Sequence, residues 1–151
     1  MLKNISIMNQ QKTISILNQQ LLSTLENSRN YTIAVADAMP EGKFNATLVE
    51  GNWNFRELLH HIAYGIQWWE SNYVKGIKTD WDPTPTKANK KEVIKYLNDS
   101  YDALQQTICE EKLSEEKLHG FHSTLDHITH HRGQAVLFLR SQGITAPEYT
   151  Y

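Results

Sequence analysis

Three of the chain's seven histidines fall within one short stretch near the C-terminus, Asp126-His127-Ile128-Thr129-His130-His131-Arg132-Gly133-Gln134. On a helix, His127 and His131 lie four residues apart, one above the other on one face, close enough to share an ion. Imidazole is the commonest metal ligand at neutral pH. The stretch is not a zinc-protease signature, because that motif places Glu directly after the first His as general base, and here Ile128 follows His127. A buried, hydrogen-bonded structural histidine is the competing role for each member of the pair. A second source of ligands is His60-His61; the remaining two, His119 and His122, fall in a stretch read as a surface loop.

The elements that position these residues read as helices. Residues 1–12 are polar and rich in Asn and Gln, and are expected as a loose arm or a frayed helix start; residues 13–151 form one domain. Ile14, Leu17, Leu21, Leu25, Thr32 and Val35 recur at helical spacing and predict a first helix that stops at Met39-Pro40-Glu41-Gly42, with a weak spot for a bend at Ser28-Arg29-Asn30. Asn54 with Glu57 forms a capping box, and Trp53 is placed to staple onto Leu58. The second helix then runs to about Lys75, with Gly76 as its C-cap. Pro83 and Pro85 forbid regular helix in 77–89, so Trp81 lies in a loop. Val93, Leu97, Tyr101, Leu104 and Ile108 mark a third helix. Residues 110–122 read as a connection, and Ser123 as the N-cap of a fourth helix ending near Gln142, with Asp126 in its first turn. No strand pattern is present. Four amphipathic helices joined by long connections predict an all-α four-helix bundle with at least one crossover.

A helix turns about 100° per residue, so facing can be estimated. On the second helix the apolar arc is centred near Phe55, Ile62 and Trp69; His61 lies on its shoulder, and His60 points away with Arg56, Tyr64 and Gln67. On the fourth helix His127 and His131 flank the arc of Leu125, Ile128, Ala135, Val136 and Leu139, while His130 and Arg132 turn away from it. His61, His127 and His131 therefore lean inward from two helices. Three neutral imidazoles suit zinc, nickel, iron or manganese and leave coordination positions open, as catalytic sites do. Gln134 lies near the His127 edge, within reach of a ligand imidazole, with a solvated glutamine as the competing role, and Gly133 predicts close approach of another helix, within the chain or across a dimer. Trp68, Trp69 and Trp81 are candidate walls, with core packing as the other role for the first two.

Composition excludes several classes. The 151 residues carry a net charge of −2 with no basic stripe, which argues against nucleic acid as a partner. Cys109 is the single cysteine, so neither a disulfide nor a thiolate metal cluster forms within one chain; on its patterned helix it reads as a small half-buried residue. No apolar run approaches the roughly 20 residues of a membrane span, and the N-terminus lacks an apolar core for a signal peptide, so the cytoplasm is the expected compartment.

Trp53-Asn-Phe-Arg-Glu57-Leu-Leu-His60-His61-Ile62-Ala63 with Trp68-Trp69, and His127-Ile-Thr-His130-His131-Arg132-Gly133-Gln134 followed by Leu139-Arg140 and Gly143-Ile144-Thr145-Ala146-Pro147-Glu148-Tyr149, resemble the DinB-like proteins of the DinB/YfiT superfamily. Tyr31-Thr32 through Ala38-Met39-Pro40 is also similar to that family, and the likeness extends over nearly all of the chain beyond residue 12. The resemblance implies a four-helix bundle, a bound divalent transition metal and, often, a homodimer. The family's Leu-Leu-x-His pattern falls on Leu58-Leu59-His60-His61 and makes His61 the ligand, although His60 stands where a small residue is usual; the second pair falls on His127 and His131.

Some relatives look like thiol transferases acting with bacillithiol, mycothiol or glutathione. The resemblance thus implies a metal-dependent transferase joining a low-molecular-weight thiol to an electrophilic small molecule, or a hydrolase using water at the same ion. The alternatives are a non-catalytic metal-binding protein of the stress response, and a dimeric bundle whose histidines are structural. No catalytic acid or base stands out beside the three histidines, since Glu57 and Asp126 are both placed as caps.

Overall fold

A computed structural model describes the backbone of residues 2–149 and the side chains of 8, 9 and 11–149. The described residues form four α-helices: α1 (Leu2–Ala38), α2 (Phe55–Trp69), α3 (Lys90–Glu110) and α4 (Glu115–Ser141). α1 and α2 each pack against both α3 and α4, which sets α1 across the bundle from α2 and α3 across from α4. The core between them is apolar, with Val35, Phe55, Leu59, Ile62, Leu97, Leu104, Ile128 and Leu139 all fully buried.

Several local signals act as the sequence predicts. Asn54 and Glu57 exchange two 2.9 Å hydrogen bonds, which satisfies orphan donors at the start of α2. α2 continues into a π-helical turn, Glu70–Val74, and stops at Gly76, whose φ of 72° only glycine adopts cheaply. α1 ends just before Met39-Pro40, where the proline ring disfavours helix in the preceding residue.

Several expectations change. Residues 2–12 take the second of their two expected forms, a helix start continuous with α1 rather than a loose arm, since no Gly or Pro interrupts 2–38; the described side chains among them are exposed. No break occurs at Ser28-Arg29-Asn30. α4 is capped nine positions before the expected cap, at Ser114, whose side chain accepts from the Lys117 N–H, so only residues 111–114 join α3 to α4. Gly120, read as a loop signal, is helical and buried because a Cβ there would lie 2.6 Å from the Tyr73 carbonyl oxygen. Ser123 and Asp126 are therefore mid-helix, and Asp126 is exposed. Cys109 is exposed on α3 rather than half-buried.

Arg132 also departs from its expected place. It is 5% exposed and its Nη1 donates to the Ser28 carbonyl and hydroxyl oxygens at 3.1 Å and to Thr32 Oγ1 at 3.3 Å. Its guanidinium lies 5.0 Å from the centre of the Tyr31 ring. Tyr101 completes this seam, with its phenol 2.9 Å from Thr32 Oγ1 and 3.2 Å from Ser28 Oγ. Arg132 follows Ile128 by four residues and precedes Ala135 and Val136 by three and four, so it shares their buried face of α4 and meets α1; the expectation that it turns away from the arc does not hold. Arg132→Ala is expected to cost about 2–3 kcal/mol through lost charge-assisted hydrogen bonds and packing, a Tm fall of roughly 5–10 °C in a thermal melt.

Candidate metal centre

α2 and α4 bring His61, His127 and His131 together, with one ligand nitrogen from each lying within 4.8 Å of the others. His61 Nε2 lies 3.1 Å from Nε2 of both His127 and His131. Burial is the first cause of a lowered pKa at all three. His61 falls to about 3 and His127 to about 4, with mutual repulsion among the rings second. At His131 the Gln134 hydrogen bond opposes the fall. All three rings are therefore neutral at pH 7 and keep lone pairs for a Lewis acid.

Gln134 takes the hydrogen-bonding role rather than the solvated one, and on His131: its Oε1 lies 2.8 Å from His131 Nδ1. An amide oxygen only accepts, so His131 carries its proton on Nδ1 and turns the Nε2 lone pair toward the cluster. Gln134→Ala should weaken zinc binding by roughly 10- to 100-fold, read by competition with a chromophoric chelator. The His127 Nδ1 is buried without a partner, so nothing comparable fixes that ring. Its position depends on space instead. A Cβ on Gly65 would lie 2.2 Å from His127 Cε1. Gly65 is four residues after His61, on the same face of α2, a spacing visible in the sequence.

Aromatic rings enclose the cluster. Trp53 lies on His61 with centroids 4.3 Å apart and reaches His131 at 5.9 Å. Trp81 sits 5.4 Å from His61, and Trp69 sits 6.3 Å from His127. Trp68 stands behind Trp81, its indole N–H donating to the Thr79 carbonyl. Trp53 was placed as a staple for Leu58; its ring against His61 is a site contact that the capping pattern concealed.

His60 corrects the facing estimate. It is 4% exposed, not solvated. The Lys87 N–H donates to its Nδ1 and its Nε2–H donates to the Thr84 carbonyl, at 3.4 and 3.0 Å. Burial lowers its pKa too. The loop 77–89 folds over this flank of α2, where Arg56 donates to the Ala88 carbonyl, the Tyr64 hydroxyl accepts from the Asp82 N–H, and the Asn72 side chain bonds Thr79. Both His60 nitrogens are thus committed to the loop that holds Trp81. His130, His119 and His122 are exposed, as expected, the last two on α4 rather than in a loop.

The donor set fits a divalent transition metal. Nitrogens bound to one zinc at about 2.0–2.1 Å in tetrahedral geometry stand roughly 3.3 Å apart, close to the 3.1 Å observed for two of the three pairs. Three imidazoles alone make an open site rather than a closed structural one. Among the described residues, no carboxylate is hydrogen-bonded or ion-paired to the three histidines.

Comparison with known proteins follows the same lines. No curated protein matches the sequence. The crystal structure of a DinB-like protein from Bacillus cereus ATCC 10987 is similar over 88% of this chain and 97% of that one, with a TM-score of 0.74 at 18% sequence identity, and so shares its fold. The sequence profile of the DinB superfamily matches residues 24–135, which include all three clustered histidines and most of the bundle, and this chain belongs to that superfamily.

Proposed function

We propose that the chain binds one divalent transition metal through His61, His127 and His131 and serves as a metal-dependent transferase that joins a low-molecular-weight thiol to an electrophilic small molecule. The observation that carries this reading is the convergence of three neutral Nε2 atoms, two of the pairs at 3.1 Å, with no fourth donor beside them among the described residues. A bound divalent ion would supply Lewis acidity, keeping a thiol deprotonated at neutral pH. In the transfer, the sulfur–carbon bond forms while the leaving group departs with its bonding pair, and the thiol proton passes to water. The chain's own residues hold and orient: Gln134 sets the His131 tautomer, and Trp53, Trp69 and Trp81 limit water around the rings.

Thiol transfer is preferred to hydrolysis because no general base stands at the site. Glu57 is occupied in its capping box, and Asp126 is exposed with no bond to a histidine. The same absence favours a non-catalytic metal-binding protein as the second reading. A homodimer, which the family resemblance implies, belongs to the proposal as well.

The zinc-loaded protein, given a cysteine-derived thiol and 1-chloro-2,4-dinitrobenzene, is expected to form the thioether well above the solution rate. A chelator should abolish the excess and added zinc restore it. Ion uptake with no excess rate across several thiols and electrophiles would leave the binding protein as the function.

A further inference from the structure

A cavity of about 440 Å³ lies beside the histidine cluster, between the α1–α2 connection and α4. Leu48, Val49 and Trp53 line it from the connection, and Leu137 and Phe138 from α4. Of the three clustered histidines only His131 reaches it, next to Gln134. Trp53 is both a wall of the cavity and the ring lying on His61, so the cavity and the cluster share a partition.

We propose that this cavity holds the apolar body of an uncharged aryl or alkyl electrophile and presents its reactive end from the His131 side. The proposal rests on the three-histidine reading and names the class of its second substrate. The volume falls within the range of small-molecule sites, which are mostly apolar with a few placed polar groups. Here Asn52 and Gln134 are the polar groups besides His131, and no Lys, Arg, Asp or Glu lines the space. A charged molecule would shed its hydration there with no opposite charge to meet it. The apolar rim is also open to water: Leu48 is 40% exposed, Trp53 46%, Leu137 52% and Val49 58%. An apolar guest removes that surface from solvent, which drives its binding.

N-Phenyl-1-naphthylamine, an uncharged fluorescent aryl probe, is expected to bind the zinc-loaded full chain. Its charged relative 8-anilinonaphthalene-1-sulfonate should bind at least tenfold more weakly. Leu137→Asp and Val49→Asp, at exposed rim positions on opposite walls, should each weaken the uncharged probe at least tenfold while zinc content stays at the wild-type level. The Gln134 side-chain amide signal should shift on probe addition in a proton–nitrogen correlation spectrum. Equal binding of both probes, an unmoved Gln134 signal, or probe binding untouched by both substitutions overturns the proposal. So does sedimentation showing that the substitutions convert a dimer to monomers without changing probe affinity, since a second copy would then be the occupant. A wild-type chain that takes up no zinc yet binds the probe at Gln134 overturns the metal reading and upholds the cavity assignment; zinc uptake without probe binding does the reverse.

Discussion

His61→Ala is expected to abolish metal binding while leaving the bundle folded. Protein purified without a His-tag should hold about one ion per chain by elemental analysis; the variant should hold none. A four-ligand zinc site is worth on the order of 10–16 kcal/mol, or about 3 kcal/mol per donor, so losing one of three donors weakens binding by roughly a hundredfold or more. The fold should survive because the ring sits against Trp53 and Trp81 at the edge of the bundle, outside the apolar core of Leu59, Ile62 and Ile128. His60→Ala is the matched control. Both nitrogens of His60 are engaged by Thr84 and Lys87, so that variant should keep its ion and loosen the loop 77–89, read as faster proteolysis there. A wild-type chain that takes up no zinc, nickel or manganese, or a His61→Ala chain that has lost its helical circular dichroism, would return the histidines to a structural role.

Gly65→Ala is the second large effect, and it runs against helix propensity. In a helix interior Ala is favoured over Gly by about 1 kcal/mol. Here the added Cβ would stand 2.2 Å from His127 Cε1 and 2.8 Å from its Nδ1. That overlap must be relieved, and the movable partner is the His127 ring, whose Nδ1 has no hydrogen bond to hold it. The backbone of α2 is fixed by the core around it and will not shift as easily. We therefore expect a folded protein whose melting temperature changes little and whose zinc affinity falls at least tenfold. Competition with a chromophoric chelator, run beside a thermal melt, measures both. Wild-type affinity in Gly65→Ala would mean that His127 does not need its present position to serve the site.

The architecture was largely legible because its signals are local. Apolar spacing marked four helices, the Asn54–Glu57 pair marked the start of α2, and Pro40 and Gly76 marked ends, each through the backbone within a few residues of itself. The three inward-leaning histidines could be picked from helical phase, since residues four apart share a face whatever the helix packs against. Gln134 followed from the same short-range geometry, three residues from His131. Where a residue's role depended on what covers it, phase alone failed. His60 points away from the apolar arc of α2, yet it lies under the proline-containing loop. Arg132, expected to turn away from the arc of α4, shares the phase of Ile128 and Val136 and faces α1. Gly120 looked like punctuation and is a contact, because Tyr73 of the π-helical turn comes too close for any side chain. The sequence by itself determined the four helices, the cap at the start of α2 and the phase of the histidine face, because these are set by interactions a few residues long; the start of α4 was not among them. Tertiary structure alone decided the 3.1 Å convergence of nitrogens on α2 and α4, the enclosure by Trp53 and Trp81, and the fit of His127 against Gly65. Those depend on how two helices and two loops meet, and no spacing along one helix encodes the distance to another.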